Sequence, residues 1–285
     1  MRIFSRRPPA KVGSNLNYGQ IYVALSRATS LQGLYVLGKL EHKHIKADPR
    51  VIEEYERLQN TSLLKENANF QVQEDEYLLN IRSLRKHSID IKFDTKIFNC
   101  DMLLLTETQL TPSDSDDDIQ DLLYPFILNR QDSRENRYSS LAFCNKTTVC
   151  IKEKEYFPLI NALMFTAVFT RRENCEIRFL FLYKNKASTV HDFVNNLTHV
   201  TNWYTIDVIL GDFNINYFYE KESHNLRNIL ESSLGYQQIV SKPTFISGSL
   251  LDHVYIRSHK FKSVDNTVIA VYYSDHDAVK ILLHL

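Results

Sequence analysis

From Tyr77 onward, short apolar runs alternate with amphipathic helical stretches. The runs keep meeting the same few kinds of polar residue at one end. That texture confines the chain to an α/β class, because strands apolar on both faces need helices or a second sheet to cover them. The pattern predicts strands at Tyr77–Ile81, Met102–Leu105, Ser140–Cys144, Leu163–Phe169, Ile177–Tyr183, Ile206–Leu210, Val254–Ile256, Thr267–Tyr272 and Ala278–Leu283. It predicts helices at His87–Phe98, Val190–Trp203 and Asn225–Ser233, the second with Val190, Phe193, Val194, Leu197 and Val200 on one face. The acidic run from Asp114 to Asp118 reads as a solvated loop leading into a helix around Ile119.

The strand ends carry the chemistry. Met102-Leu-Leu-Leu105 runs into Thr106-Glu107, and Ile206-Asp-Val-Ile-Leu210 into Gly211-Asp212-Phe213-Asn214. Leu250-Leu251 leads into Asp252-His253, and Val271-Tyr-Tyr273 into Ser274-Asp275-His276. Tyr77-Leu-Leu79 ends in Asn80 and Phe179-Leu-Phe-Leu182 in Tyr183. In an α/β sheet such ends converge at one rim, where ligands bind. Two carboxylates ~5 Å apart at an effective dielectric of about 20 repel by roughly 3 kcal/mol. A rim crowded with them therefore needs protons or a cation. Oxygen donors without cysteine suit a hard ion, Mg²⁺ or Mn²⁺. A histidine beside an aspartate suits proton transfer or phosphate binding.

Each residue also has a plainer reading. Glu107 and Asp252 could be solvated after buried strands, Asp212 and Asn214 could be turn formers, and Ser274-Asp275 could cap a following segment. One shared site accounts for all of them together.

Composition narrows the rest. The 285 residues carry 34 basic and 34 acidic side chains, so no global charge draws the chain to nucleic acid. A nuclease needs only a few neutralised phosphates at a local rim. Glycine is scarce at 7, which argues against Gly-rich phosphate loops, and no apolar stretch is long enough to span a membrane. The cysteines, Cys100, Cys144, Cys150 and Cys175, form no C-x-x-C pair. Three of them flank apolar runs, where buried, reduced thiols are expected. The first residues are basic with no apolar segment behind them, so no secretory signal is expected. Arg6-Arg7-Pro8-Pro9-Ala10-Lys11 reads as a solvated tail, with a nuclear address as the alternative; the expected setting is intracellular and nuclear.

In that order, Asn80-Ile-Arg-Ser-Leu84, Leu105-Thr-Glu107, Leu210-Gly-Asp-Phe-Asn214, Pro243-Thr-Phe245 before Leu251-Asp-His-Val254, and Ser274-Asp-His276 resemble the endonuclease/exonuclease/phosphatase superfamily. The versions most similar are apurinic-type endonuclease domains of mobile elements. The resemblance covers roughly Glu76 to Leu285. It implies a four-layered α/β sandwich, two packed mixed sheets flanked by helices, acting on DNA with Mg²⁺ or Mn²⁺. Carried over position by position, Glu107, Asn80 and Asp275 would sit at the metal. Asp212 would orient or deprotonate water, Asn214 would donate to the phosphate, and Asp252 would orient His276 toward it. Tyr183 would be the mid-chain aromatic at the phosphate. Two departures stand near expected DNA-contacting loops. Tyr138-Ser139-Ser140 replaces a Gly-rich step, and Lys184-Asn185-Lys186 replaces Arg-Pro-Pro.

The N-terminal stretch Tyr18-Gly-Gln20-Ile-Tyr-Val-Ala-Leu-Ser-Arg27-Ala-Thr-Ser30, followed by Gly33-Leu-Tyr-Val36, is similar to the last signature motif of superfamily 1 DNA helicases of Helitron-type transposons. The resemblance implies that Arg27 matches the arginine that reaches the ATP γ-phosphate, with Gln20 nearby. No Walker A sequence accompanies it, so residues 1–72 are expected to be a helicase remnant and linker without ATPase activity, ahead of a nuclease domain at 73–285. The chain ends soon after Ser274-Asp275-His276, so a complete retrotransposon polyprotein is not expected. Two further readings remain open. One is a same-fold phosphatase acting on small phosphoesters. The other is a non-catalytic, transposon-derived DNA-binding remnant.

Overall fold

The computed structural model describes residues 2–4, 35–37, 75–133, 137–170 and 175–284. The chain divides into two compact units, Met1–Gln71 and Val72–Leu285. In the first, β1 (Arg2–Phe4) pairs antiparallel with β2 (Tyr35–Leu37). The spacing of Val51, Ile52, Tyr55 and Leu58 after Asp48-Pro49 predicts a helix ending near Asn60; that segment, the apolar run at Ile21–Leu25 and the motif residues Gln20 and Arg27 lie outside the described residues.

The second unit is two six-stranded mixed sheets. Its strands are β3 (Asp75–Asn80), β4 (Met102–Thr106), β5 (Ile127–Gln131), β6 (Leu141–Asn145), β7 (Val149–Phe157), β8 (Ala162–Phe169) and β9 (Cys175–Tyr183). They continue with β10 (Val208–Asp212), β11 (Gln237–Gln238), β12 (Asp252–Ile256), β13 (Ser263–Ile269) and β14 (Ala278–His284). One sheet runs β13-β14-β3-β4-β6-β5 and the other β11-β12-β10-β9-β8-β7. The parallel pairs β3/β4 and β9/β10 lie inside their sheets.

The sheets pack face to face through alternate residues. Leu78, Met102, Leu104 and Phe143 of the first sheet meet Phe165, Phe179, Phe181, Leu210 and Val254 of the second. Phe143 stacks on Phe165 at 4.1 Å, and Phe165 on Phe179 at 5.4 Å, so one aromatic column ties the sheets together. Each such buried ring is worth roughly 1.5–3 kcal/mol of apolar transfer. The intervening residues on each strand face outward. Tyr77, Leu79, Leu103 and Leu105 are covered by α1 (Leu84–Phe93), α2 (Thr95–Phe98) and α3 (Asp116–Leu123). Met164, Leu180, Leu182, Ile209 and Tyr255 are covered by α4 (Val190–Trp203) and α5 (Glu220–Arg227). The architecture is the four-layered sandwich expected from the sequence.

Local departures have local causes. The helix expected at His87–Phe98 starts earlier and breaks at Asp94, whose carboxylate accepts from the Lys96 N–H and caps α2. Asp116 to Asp118 form the first turn of α3 rather than a loop. Ser115 caps it from Asp118 N, and three acids suit the positive end of the helix dipole. The helix expected at Asn225–Ser233 begins at Glu220 and passes into a π turn over Asn228–Ser233. Of the cysteines, Cys100 is buried but Cys150 is exposed on edge strand β7, so the expectation of buried thiols holds only in part.

Candidate active site at the common rim

The period of two that fills the core also builds the site. On β9 the inward residues are Phe179, Phe181 and then Tyr183; on β10 they are Val208, Leu210 and then Asp212; on β12 they are Ile256, Val254 and then Asp252. Tyr183, Asp212 and Asp252 are register partners across three neighbouring strands, one step beyond the last apolar layer. The first sheet does the same: Leu78 is followed by Asn80 and Leu104 by Thr106, and Asn80 pairs with Thr106. Asp252 opens its strand rather than ending it, and Asp275 precedes β14 in a segment with no strand over Val271–Tyr273. Both reach the same rim because β12 and β14 run antiparallel to their neighbours.

The side chains form a linked set. The Asn80 amide donates to Glu107 Oε1 at 3.0 Å and to Asp212 Oδ2 at 2.9 Å, spacing the two carboxylates. The Tyr183 hydroxyl donates to the same Glu107 oxygen at 3.0 Å. Asp212 Oδ1 accepts from the Asn214 N–H at 2.9 Å, and the Asn214 amide donates to the Lys184 carbonyl at 2.8 Å. His276 Nδ1 meets Asp252 Oδ2 at 2.7 Å. Ser274 Oγ donates to the Asn80 carbonyl at 2.7 Å and accepts from His276 N–H, tying the last loop to β3. Thr244, within the Pro243-Thr-Phe245 stretch, accepts from the N–H groups of Leu251 and Asp252 and fixes the start of β12. All eight residues expected at the site, Asn80, Glu107, Tyr183, Asp212, Asn214, Asp252, Asp275 and His276, thus lie on this one rim.

Electrostatics divides the set. Asp212, Asp252 and His276 are 0%, 0% and 3% exposed, and each offers an atom within 4.8 Å of the others. Burial, then the Asp252 charge, raises the pKa of Asp212 against the pull of His276, the Asn214 N–H and the Asn80 amide. Burial alone would lower His276; the Asp252 charge and hydrogen bond, with Asp212 and Asp275, override it and raise the imidazole to about 9. A proton on His276 is therefore what holds two buried carboxylates together. Burial first, then the Glu107 and Asp212 charges, keeps the Tyr183 phenol protonated.

Backbone strain collects here as well. Arg82, Glu107, Gln109 and Asn214 all have positive φ, between 47° and 57°. Such residues persist only where their surroundings over-determine them. Gly211 has φ +150°, and a Cβ there would lie 1.8 Å from the Leu182 carbonyl oxygen, so no other residue fits between β9 and β10.

One residue was missed by the sequence reading. Arg82 pairs through Nη1 with Asp275 Oδ2, and its Nε lies 3.7 Å from Glu107 Oε2. Its position two residues past Asn80 was visible, but nothing in the sequence showed that the turn aims it back at the acids. Beside it opens a groove of about 510 Å³ lined by Arg82, Lys86, Gln109, Tyr138, Tyr272 and Asp275.

This fold recurs in solved structures. The AP endonuclease LMAP from Leishmania major superposes with a TM-score of 0.59 at 12% identity, covering 78% of this chain and 90% of that one. The endonuclease domain of TRAS1, a telomere-specific non-LTR retrotransposon, gives 0.57 at 13%, covering 75% and 99%. An AP endonuclease from Archaeoglobus fulgidus gives 0.57 at 13%, covering 74% and 100%. No protein-family profile and no curated protein matches the sequence. The fold is the α/β sandwich of the endonuclease/exonuclease/phosphatase class.

Proposed function

We propose that the chain is a divalent-metal-dependent phosphodiesterase, a DNA endonuclease of the nicking or apurinic type. The observation that carries this reading is the gathering of Asn80, Glu107, Tyr183, Asp212, Asn214, Asp252, Asp275 and His276 on one rim from positions spread over the whole second unit. Similarity of fold to TRAS1 and to AP endonucleases supports it, since those proteins are nucleases by name.

The residues fit a hard cation. Asp275 offers carboxylate oxygens beside the groove and Glu107 offers them just behind it, Asn80 donates to Glu107, and Asp275 Oδ1 is buried with no hydrogen-bond partner. The trio Asp212, Asp252 and His276 is a second geometric candidate for a cation. It fits less well, because the three are almost wholly buried and Asp252 Oδ2 already meets His276 Nδ1 at 2.7 Å, leaving Asp252 Oδ1 as the one unpartnered oxygen of that acid. We therefore assign Glu107, Asp275 and Asn80 to Mg²⁺ or Mn²⁺. When bound there, the ion supplies Lewis acidity at a phosphate oxygen.

The protein's own groups do the remaining work. Asp212, its pKa raised, accepts the proton of the attacking water. Asn214 donates to the phosphate once its amide turns from the Lys184 carbonyl. Protonated His276, oriented by Asp252 through Nδ1, presents Nε2 to the phosphate as charge develops. Tyr183 holds Glu107 in place.

Mobile-element origin and a helicase remnant belong to the same reading, supported by the sequence around Gln20 and Arg27; the expected lack of ATPase activity rests on the missing Walker A sequence, and a nuclear setting on the basic run Arg6 to Lys11. The test is nicking of supercoiled plasmid with Mg²⁺ or Mn²⁺. Wild type is expected to nick, and Asp212→Ala to lose about 10³-fold or more, in line with removal of a general base. Equal nicking by the two proteins would overturn the assignment. Turnover of a soluble phosphoester in place of plasmid would favour the small-substrate alternative.

A further inference from the structure

We infer that Arg82 is a built-in competitor of the metal, its guanidinium standing between Glu107 and Asp275 until a divalent ion displaces it. The inference rests on the metal assignment above and adds a control on it.

Three observations carry it. The guanidinium engages both acids at once, Asp275 through Nη1 and Glu107 through Nε. The His276 ring hydrogen-bonds to Asp252 and to neither of these two acids, whereas Arg82 is the cation paired with both. The backbone is held in place: Arg82 N–H donates to Asn80 Oδ1 at 3.2 Å, its carbonyl accepts from the Gln109 amide, and its φ is 55°. A residue locked into a strained turn with its side chain reaching two acids is positioned rather than incidental. Finally, the side chain is 42% exposed and borders the groove beside Lys86 and Tyr272, so a displaced guanidinium has an open volume to enter. A cation in that groove lies where an anionic phosphate would approach. Metal entry would then deliver Arg82 to the substrate side.

Two positive groups cannot both occupy the space between one pair of carboxylates. Removing Arg82 should therefore tighten metal binding, whereas a residue that merely orients Glu107 would weaken it on removal. The experiment is calorimetric titration of the full chain with Mn²⁺. Arg82→Ala is expected to bind roughly two- to fivefold more tightly than wild type, the size of a partly exposed ion pair lost from the apo state. Arg82→Lys, which keeps the charge but cannot fork between two acids, is expected to fall between them. A second readout is thermal unfolding. In EDTA Arg82→Ala should melt below wild type, and saturating Mn²⁺ should raise its melting temperature by more than it raises that of wild type. Unchanged or weaker Mn²⁺ binding by both variants, with wild type binding and nicking normally, overturns the inference alone. Should wild type neither bind Mn²⁺ nor nick, the metal-dependent reading fails with it. If Arg82→Ala does not fold, the comparison of wild type with Arg82→Lys decides by the same sign.

Discussion

The rim has two halves that solve one problem differently. In the closed half, Asp212, Asp252 and His276 are almost wholly buried, and a proton on the imidazole balances the carboxylates. In the open half, Asp275 lines the groove with Glu107 buried behind it, and a half-exposed guanidinium that also lines the groove balances them. A buried acid pair cannot exchange its counter-charge cheaply, because every alternative must also be desolvated. An open pair can. The closed half is therefore built to keep a fixed protonation pattern, and the open half to trade one cation for another. Asn80 joins them, with one amide nitrogen donating to an acid of each.

The sharpest way to break this contrast is to remove the anchor of the closed half. In Asp252→Asn the charge that raises His276 is lost and the 2.7 Å bond becomes at best a neutral one, while burial remains to lower the imidazole. The imidazole should then lose its proton at neutral pH. Nicking should fall about 10³-fold, the scale of a misplaced general acid or orienting carboxylate. A nitrogen-15 titration of His276 would follow the cause directly. An unshifted imidazole with normal activity would mean that the closed half does not depend on that proton.

A second histidine one residue along tests the same idea with the opposite sign. His253, also 0% exposed, faces the outer layer against Phe213, and its ring nitrogens meet Tyr255 Oη and the carbonyls of Ile215 and Leu250. Burial lowers its pKa to about 4. A group depressed on folding is neutral in the native state while the unfolded chain takes up the proton first. Stability is therefore fully present above the unfolded pKa of about 6.5 and is lost as pH falls toward 4, by roughly 3 kcal/mol in total. His276, raised to about 9, contributes in the other direction, with stability present below about 6.5 and lost as pH rises through 9. Urea unfolding of wild type and His253→Gln between pH 7 and 4.5 separates the two. The variant should lose less stability on acidification, and parallel curves would contradict the buried neutral ring.

How much of this was readable beforehand follows from where each strand lies. The central strands β3, β4, β6, β8, β9, β10, β12 and β14 were legible because burial between neighbouring layers demands apolar runs. The missed or shifted strands β5, β7, β11 and β13 lie at or beside sheet edges, where one side is unpaired and the faces are polar. The Lys152-Glu-Lys-Glu155 stretch of β7 hides a strand behind edge-protecting charges, and a register shift between Lys152 and Glu155 bends it further. The site residues were legible because they sit on central strands or just past them. Arg82 was not, because its role depends on a left-handed turn that no residue type announces.

The smallest expected effect belongs to the open half, and it is the one that separates metal affinity from chemistry. Glu107→Gln keeps the side chain's shape and can still meet the Asn80 amide and the Tyr183 hydroxyl, but it removes one charge from the acid pair. Arg82 then faces Asp275 with less competition, and a divalent ion loses a ligand charge. At limiting Mn²⁺ nicking should fall about tenfold to a hundredfold, and raising Mn²⁺ should restore most of it, since an affinity defect is overcome by mass action. Asp252→Asn should not be rescued by any concentration of Mn²⁺, because its defect lies in a proton that no added cation supplies. Plasmid nicking across a Mn²⁺ series in both variants would decide. Rescue of both, or of neither, would mean that the two halves are one undivided site, and the division drawn from their burial would have to be given up.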